Sequence, residues 1–183
     1  KDDYTKTIYK AYEGTSIILH YFENKWNICT RKCLDSQKSA WNNKTYYKLF
    51  NETIEQYDNF YDNLNTNYYY VFLLIHHQNK NIVDYSFMFG ENYKKLFHVM
   101  TKSNDTHLEI ADNSENIFKN NMVVDKPEKL DNYDYINNEN NKDKISLPIK
   151  DIGIIIKLTN KINNNIILLK INTCGYKIIN KLK

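Results

Sequence analysis

The chain has 183 residues, a formal net charge of +3 and 42% hydrophobic residues. This composition is that of an ordinary globular protein and excludes the fibrous classes. No apolar run approaches the roughly 18 residues that a spanning helix needs, so we expect no membrane contact. The small charge excess does not by itself indicate a nucleic-acid-binding protein.

The cysteines are few and odd in number: Cys29, Cys33 and Cys174. Such a set does not make a disulfide framework and is typical of a reducing compartment, so we expect an intracellular, cytoplasmic protein. The chain starts at Lys1 without an initiator Met or a signal-peptide pattern. We therefore expect a fragment of a longer polypeptide.

Residues 15–22 and 26–31 are β-branched and aromatic runs separated by three polar residues, which predicts a β-hairpin. Apolar side chains then recur at spacings of three and four over residues 44–61, which predicts an amphipathic helix. Asn42 and Asn43 are the predicted caps of this helix.

Residues 68–75 are almost wholly apolar and predict a buried strand, followed by further strands over residues 82–89 and 96–100. Residues 112–145 are polar and lack a periodic apolar face over most of their length, which predicts a mobile loop or insertion. Two Ile-rich runs, residues 152–158 and 166–171, predict a final hairpin. The sequence thus predicts an α+β fold of antiparallel sheets flanked by helices.

The order of these elements, with Lys10-Ala11-Tyr12-Glu13-Gly14-Thr15 before the first hairpin and Arg31 after it, resembles a known family. This family comprises the adenylation domains of ATP-dependent RNA ligases, DNA ligases and mRNA capping guanylyltransferases, in the form found in large DNA viruses. The resemblance spans nearly the whole chain and implies a single nucleotidyltransferase-like domain over residues 1–183. For a viral protein, the host cytoplasm or the virus factory is the expected location.

The resemblance implies an RNA-sealing enzyme that uses ATP and Mg²⁺ and forms a covalent Lys–AMP intermediate. Lys10 is the implied nucleophile and Asp151 the implied metal ligand. The implied nucleotide-binding residues are Glu13, Gly14, Thr15, Arg31, Phe72 and Lys170. The implied partners are a nucleoside triphosphate, an RNA end with a 5′-phosphate and an additional domain of the same chain.

The sequence departs from the family pattern at four positions. Lys10 lies four residues before Gly14, whereas relatives have Lys three residues before the Gly, where this chain has Ala11. Leu73, Ile152 and Asn172 occupy positions where relatives carry Glu, Glu and Lys. Three alternatives follow: an active RNA ligase-type enzyme, a capping guanylyltransferase-like domain, or an inactive module that binds nucleic acid or protein.

We assign no metal-binding or catalytic role to two other motifs. His76 and His77 are adjacent, so an extended chain points them to opposite faces, and a turn is the better interpretation. Cys29 and Cys33 do not have the spacing of a zinc knuckle, which indicates packing cysteines.

Overall fold

The computed structural model describes residues 3–111, 117–131 and 148–182. The chain divides into two compact units, of which unit 1 comprises Lys1–Glu13, Lys80–Met88 and Pro127–Lys183. Unit 2 comprises Gly14–Asn79 and Phe89–Lys126. Since contact units can belong to one domain, the single domain stays a prediction. None of the described helices has both the length and the apolar character needed to cross a lipid bilayer.

The α-helices in these ranges are α1 (Tyr46–Ile54), α2 (Ser86–Phe89) and α3 (Cys174–Lys181), and two short 3-10 helices cover Ser36–Lys38 and Phe60–Asn63. The strands are β1 (Tyr4–Lys10), β2 (Thr15–Phe22), β3 (Lys25–Thr30), β4 (Ala40–Trp41), β5 (Lys44–Thr45), β6 (Tyr68–His76), β7 (Lys94–Ser103), β8 (Lys129–Leu130), β9 (Gly153–Asn160) and β10 (Ile166–Asn172).

Unit 1 contains an antiparallel sheet with the strand order β10-β9-β1-β8. Ile8 of β1 lies opposite Ile156 of β9, and directly opposed residues of an antiparallel pair point to the same face. With Ile154 these side chains form a small buried cluster. β1 was not predicted, because its lysines and threonines give a weak apolar signal.

Unit 2 contains an antiparallel sheet with the order β3-β2-β6-β7, and α1 packs on β6 and β7. The Thr45 side chain accepts a hydrogen bond from the Lys48 backbone N–H and caps α1. Leu49 and Phe50 on the buried face of α1 are fully buried. Burying these side chains together with the inner face of the sheet stabilises the unit by removing apolar surface from water.

The predicted antiparallel architecture is confirmed, although the helices are few and short. Both predicted hairpins and the strands at residues 68–75 and 96–100 are present as β2–β3, β9–β10, β6 and β7. The helix predicted over residues 44–61 covers only Tyr46–Ile54, and its cap is Thr45 rather than Asn42 or Asn43. The strand predicted over residues 82–89 is wrong, since this segment contains bends and the short helix α2.

The loop predicted over residues 112–145 lies outside the described residues at 112–116 and 132–145. Between these gaps, Ile117 and Val124 are buried in the core of unit 2. Phe118 forms a bridge with Leu64, and β8 pairs with β1. The described part of the segment therefore contributes to the packing of both units.

Candidate functional site

Lys10 and Asp151 form an ion pair at the end of β1. The Lys10 Nζ lies 3.0 Å from Asp151 Oδ1, and the two side chains are 15% and 24% exposed. β1 holds Lys10 in register with Ile154, and the Lys10 backbone N–H donates to the Glu128 carbonyl at 2.8 Å. The structure therefore brings together the implied nucleophile and the implied metal ligand.

Tyr12 lies beside this ion pair, with its ring centroid 6.0 Å from the Lys10 Nζ. Burial, followed by the negative charges of Glu128 and Asp151, raises the Tyr12 pKa to about 12. The phenol therefore stays protonated at neutral pH. The negative charge of Asp151 beside the Lys10 amine favours a cation at this position.

The Glu13 carboxylate is bound by donors from two other segments of unit 1, residues 81–83 and α3. Its Oε2 accepts the backbone N–H groups of Ile82 and Val83, both at 2.8 Å. Its Oε1 accepts from Asn81 Nδ2 at 3.0 Å and from the Tyr176 hydroxyl at 2.9 Å. The Glu13 backbone N–H donates to the Tyr85 hydroxyl at 2.6 Å. Four protein donors therefore occupy the Glu13 carboxylate. The side chain links the end of the first segment of unit 1 to residues 81–83 and to α3.

Lys170 lies near this network. Its Nζ is 5.9 Å from the centroid of the Tyr176 ring. Burial lowers the Lys170 pKa, while the negative charge of Glu13 acts in the opposite direction. Tyr176 is positioned by α3, whose cap Thr173 accepts from the Tyr176 backbone N–H at 3.3 Å.

The strand register separates Lys10 from Lys170. Lys10 lies opposite Ile154, and Lys170 lies opposite Ile155. Because consecutive residues of a strand point to opposite faces, the two lysines project from opposite faces of the sheet. The predicted site residues of unit 1 therefore form two groups, with Lys10 and Asp151 in one and Glu13 and Lys170 in the other.

Gly14, Thr15 and Arg31 lie in unit 2, where they line one cleft of about 490 Å³. An added Cβ at Gly14 would lie 2.6 Å from the Leu74 carbonyl oxygen, so the close approach of β6 requires glycine here. The Thr15 hydroxyl accepts from Asn79 Nδ2 at 2.8 Å. Arg31 is exposed at this cleft.

Phe72 has no exposed surface. Its ring is stacked with those of Tyr70 and Phe118 in the core of unit 2. We expected Phe72 to bind the nucleotide, but a fully buried ring has no face for a base. The apolar run that predicts a buried strand also places this side chain inward.

Sequence reasoning missed Tyr176, Tyr85 and Asn81. Tyr176 belongs to α3, which was not predicted because the helix is short and mostly exposed. One available signal was Thr173, a preferred N-cap residue, directly before the helix.

No group of three or more His, Cys, Asp or Glu side chains suited to a metal ion occurs among residues 3–111, 117–131 and 148–182. Asp151 supplies a single carboxylate beside Lys10, and the Glu13 carboxylate is occupied by its four donors. A cation held here would therefore need most of its ligands from a bound molecule or from water.

The fold is similar to that of an RNA ligase from Naegleria gruberi, a lysine-to-alanine mutant with ATP and Mn, at a TM-score of 0.57 and 12% identity. The match covers 97% of this chain and 52% of that chain, so this chain spans about half the length of its structural neighbour. No protein-family model matches, and no curated protein matches in sequence. At this identity the likeness shows a shared fold, which is that of an RNA ligase.

Proposed function

We propose that this chain is the nucleotide-binding part of an RNA ligase-type nucleotidyltransferase, in which Lys10 becomes covalently attached to AMP. The observation that carries the proposal is the 3.0 Å contact between Lys10 Nζ and Asp151 Oδ1 in a largely buried position. Desolvating the two charges of such an ion pair costs free energy, so the pair is weak evidence of a stabilising role. The RNA ligase fold supports the reaction class.

In the proposed reaction the neutral Lys10 amine attacks the α-phosphorus of ATP. A phosphorus–nitrogen bond forms, the bond to the oxygen that bridges to the β-phosphate breaks, and pyrophosphate leaves. Asp151 is near enough to accept the amine proton. In the second step an oxygen of an RNA 5′-phosphate attacks the AMP phosphorus, the phosphorus–nitrogen bond breaks, and Lys10 regains a proton.

Asp151 would also be the protein ligand of Mg²⁺. Magnesium in proteins is commonly held by one or two carboxylates together with substrate phosphates, and a single carboxylate beside the nucleophile fits this requirement. The cation would supply positive charge that neutralises the triphosphate and the leaving pyrophosphate. Arg31, which lies in unit 2, is proposed to bind a phosphate group there.

A second candidate function is a non-catalytic module that binds a nucleotide or RNA. The observation that favours it is the strand register, which points Lys10 and Lys170 to opposite faces of the sheet. Ala11 also occupies the position three residues before Gly14. In this alternative the ligand lies on the Lys170 face, and the pair of Lys10 and Asp151 serves only stability.

Incubation with α-labelled ATP and Mg²⁺, followed by denaturing electrophoresis, separates the two candidates. We expect label on the protein, its loss in Lys10→Ala, and its retention in Lys6→Ala, a matched control on the same strand. Asp151→Asn should slow labelling about 100-fold, since general bases contribute roughly 10²–10⁴-fold. Label from GTP instead would select a capping guanylyltransferase, and no label from either nucleotide would leave the non-catalytic module.

A further inference from the structure

β10 lies at one end of the strand order β10-β9-β1-β8, so one of its edges has no neighbour among the strands that the structure describes. Proteins usually protect an open strand edge with charges, proline, a bulge or a covering element, because an unprotected edge pairs with another strand. β10 contains no proline or acidic residue, and Lys170 is its single charged residue. The strand therefore lacks most of the usual protection.

The backbone of β10 alternates between groups that bind β9 and groups that point outward. The Asn160 N–H donates to the Asn165 carbonyl at 2.8 Å at one end of this ladder, and the Thr173 N–H donates to the Ile152 carbonyl at 2.9 Å at the other. Hydrogen-bonded pairs recur at every second residue of an antiparallel ladder, and the register between these ends has no shift. The outward N–H and carbonyl groups therefore belong to Ile166, Leu168, Lys170 and Asn172. Within the described part of the chain these groups have no hydrogen-bond partner.

Apolar side chains of β10 are exposed on both faces of the sheet. Ile167, Leu169 and Ile171 project from one face and are 44%, 46% and 37% exposed. Leu168 projects from the opposite face and is 49% exposed. A layer packed on one face would cover only part of this apolar surface, whereas a strand added at the edge contacts side chains of both faces. The exposure therefore fits an added strand better than a packed layer.

β10 is complementary to a second copy of itself in one antiparallel register. Across the open edge, residues with outward backbone groups must oppose residues of the same kind. A twofold axis at Leu169 meets this condition, because Leu168 then opposes Lys170 of the second copy. On the other face Ile167 opposes Ile171 of the second copy, and Leu169 opposes its own counterpart. All the exposed apolar side chains of that face then meet.

The charge of Lys170 and the ends of the strand favour this register over its neighbours. Sliding one strand by two residues in one direction opposes Lys170 to its own counterpart, and directly opposed like charges are destabilising. Sliding it in the other direction opposes Ile171 to the polar Asn165. The register centred on Leu169 avoids both mismatches.

The size of the contact is that of a reversible dimer. The strand has 7 residues, so at a rise of ~3.4 Å per residue the contact is about 24 Å long. A paired strand of this length buries roughly 800–1,000 Å² in total, at the low end of the sizes of specific interfaces. We therefore expect a dissociation constant on the order of 10 µM.

We propose that two copies of this chain associate through antiparallel pairing of their β10 strands, with the twofold axis at Leu169. The pairing joins the two four-stranded sheets of unit 1 into one continuous sheet. Since the axis is twofold and each copy uses its β10 once, the association closes at the dimer. It needs neither a nucleotide nor the Lys10 reaction, so it is independent of the proposed function.

Sedimentation velocity of the unmodified chain, at a series of concentrations and without nucleotide, measures the association. We expect a monomer–dimer equilibrium without larger species. Leu168→Lys places a lysine opposite Lys170 of the second copy and should weaken the dimer about tenfold or more, because the twofold axis repeats the repulsion. Leu168→Glu places an opposite charge there and should keep or tighten the dimer, most clearly at low salt.

The control variant separates strand pairing from general hydrophobic association. Ile162 lies in the turn between β9 and β10 and is 85% exposed. Ile162→Lys removes exposed apolar surface next to the strand but outside the proposed contact, so it should dimerise as the unmodified chain does. Circular dichroism checks that all three variants are folded, as expected for substitutions at exposed positions.

Disulfide cross-linking with oxidised glutathione reports the position of the axis, in a Cys174→Ser background that removes the exposed thiol. Leu169→Cys should cross-link the two copies, because directly opposed residues of a pair without hydrogen bonds have Cα atoms about 4.5 Å apart. Ile167→Cys should not, since its counterpart lies four residues further along the strand, about 14 Å away.

A chain that stays monomeric at the highest concentration reached would overturn the proposal and assign the open edge to a different partner. Equal weakening by Leu168→Lys and Leu168→Glu would also overturn it, because the association would then not depend on the opposition of residue 168 to Lys170. Cross-linking of Ile167→Cys as efficient as that of Leu169→Cys would contradict the axis at Leu169.

Discussion

The Glu13 carboxylate has a structural role that its position before Gly14 does not reveal. Ile82 and Val83 lie in a segment without strand pairing, so their backbone N–H groups need another acceptor. The Glu13 Oε2 accepts both. Hydrogen bonds to a charged acceptor are roughly twice as strong as neutral ones, so this side chain stabilises the unit.

We predict that Glu13→Gln destabilises unit 1 by about 2 kcal/mol, because an amide nitrogen replaces one acceptor oxygen and leaves a donor unpaired. Thermal unfolding followed by circular dichroism measures the effect. Glu23→Gln, an exposed residue of the β2–β3 turn, is the control. A Glu13→Gln variant of unchanged stability that no longer binds nucleotide would contradict the structural role and indicate direct ligand contact.

His76 gives unit 2 a pH-dependent stability. The Gln78 backbone N–H donates to His76 Nδ1 at 3.1 Å, which leaves the ring proton on Nε2, 3.5 Å from Glu52 Oε2. Burial, then the neighbouring His77, lowers the His76 pKa to about 4; Glu52 opposes this shift, while Lys44 and Lys94 add to it. An unfolded histidine binds its proton near pH 6.5, so protonation favours the unfolded chain as the pH falls from about 6.5 to about 4.

We therefore predict that unit 2 loses about 2 kcal/mol of stability between about pH 7.5 and about pH 5. Urea unfolding monitored by tryptophan emission reports this unit, since Trp26 and Trp41 both belong to it. His76→Gln should flatten the pH dependence. An equal dependence in that variant would show that another group is responsible.

At the scale of elements, the sequence predicted those strands whose apolar residues are continuous or alternate strongly. β6 is the clearest case, with Tyr70, Phe72 and Leu74 fully buried on one face. The segment at residues 82–89 has a similar pattern, and Val83 and Tyr85 are indeed buried. Its backbone donors, however, bind the Glu13 carboxylate instead of a neighbouring strand. A pattern of apolar residues predicts which side chains are buried. It does not predict which group accepts the hydrogen bonds of the backbone N–H groups.

The start of β9 depends on Gly153. Its φ of +137° lies in the region that only glycine adopts readily, and an added Cβ would lie 1.9 Å from the Ile171 carbonyl oxygen of β10. This close approach aligns the two strands directly after Asp151.

We predict that Gly153→Ala destabilises unit 1 by about 3 kcal/mol or more, through backbone strain and displacement of β10. Gly90→Ala is a matched control, because Gly90 also has a positive φ, +84°, but nothing lies within 4 Å of an added Cβ. Gly90→Ala should lower the free energy of unfolding by about 1 kcal/mol. Equal losses of melting temperature in the two variants would contradict the steric argument.

At the scale of the whole molecule, the predicted site residues are distributed over both units. The family resemblance implied roles for Lys10 and Asp151, and the structure places these two side chains 3.0 Å apart, while the roles themselves stay a prediction. Residue types and their order were not sufficient to assign Lys170 to a face, because that depends on the register between β9 and β10. Nor did they exclude Phe72, whose burial follows from packing with sequence-distant rings.

The most direct measurement is the location of the adduct by peptide mass spectrometry. The chain is incubated with ATP and Mg²⁺, digested at neutral pH to preserve the phosphoramidate, and its lysine peptides are compared with those of Lys10→Ala. We predict a mass increase of one AMP on the peptide that contains Lys10 and on no other. AMP on Lys170, or on no peptide while the fold remains intact, would contradict the assignment of Lys10 as the nucleophile.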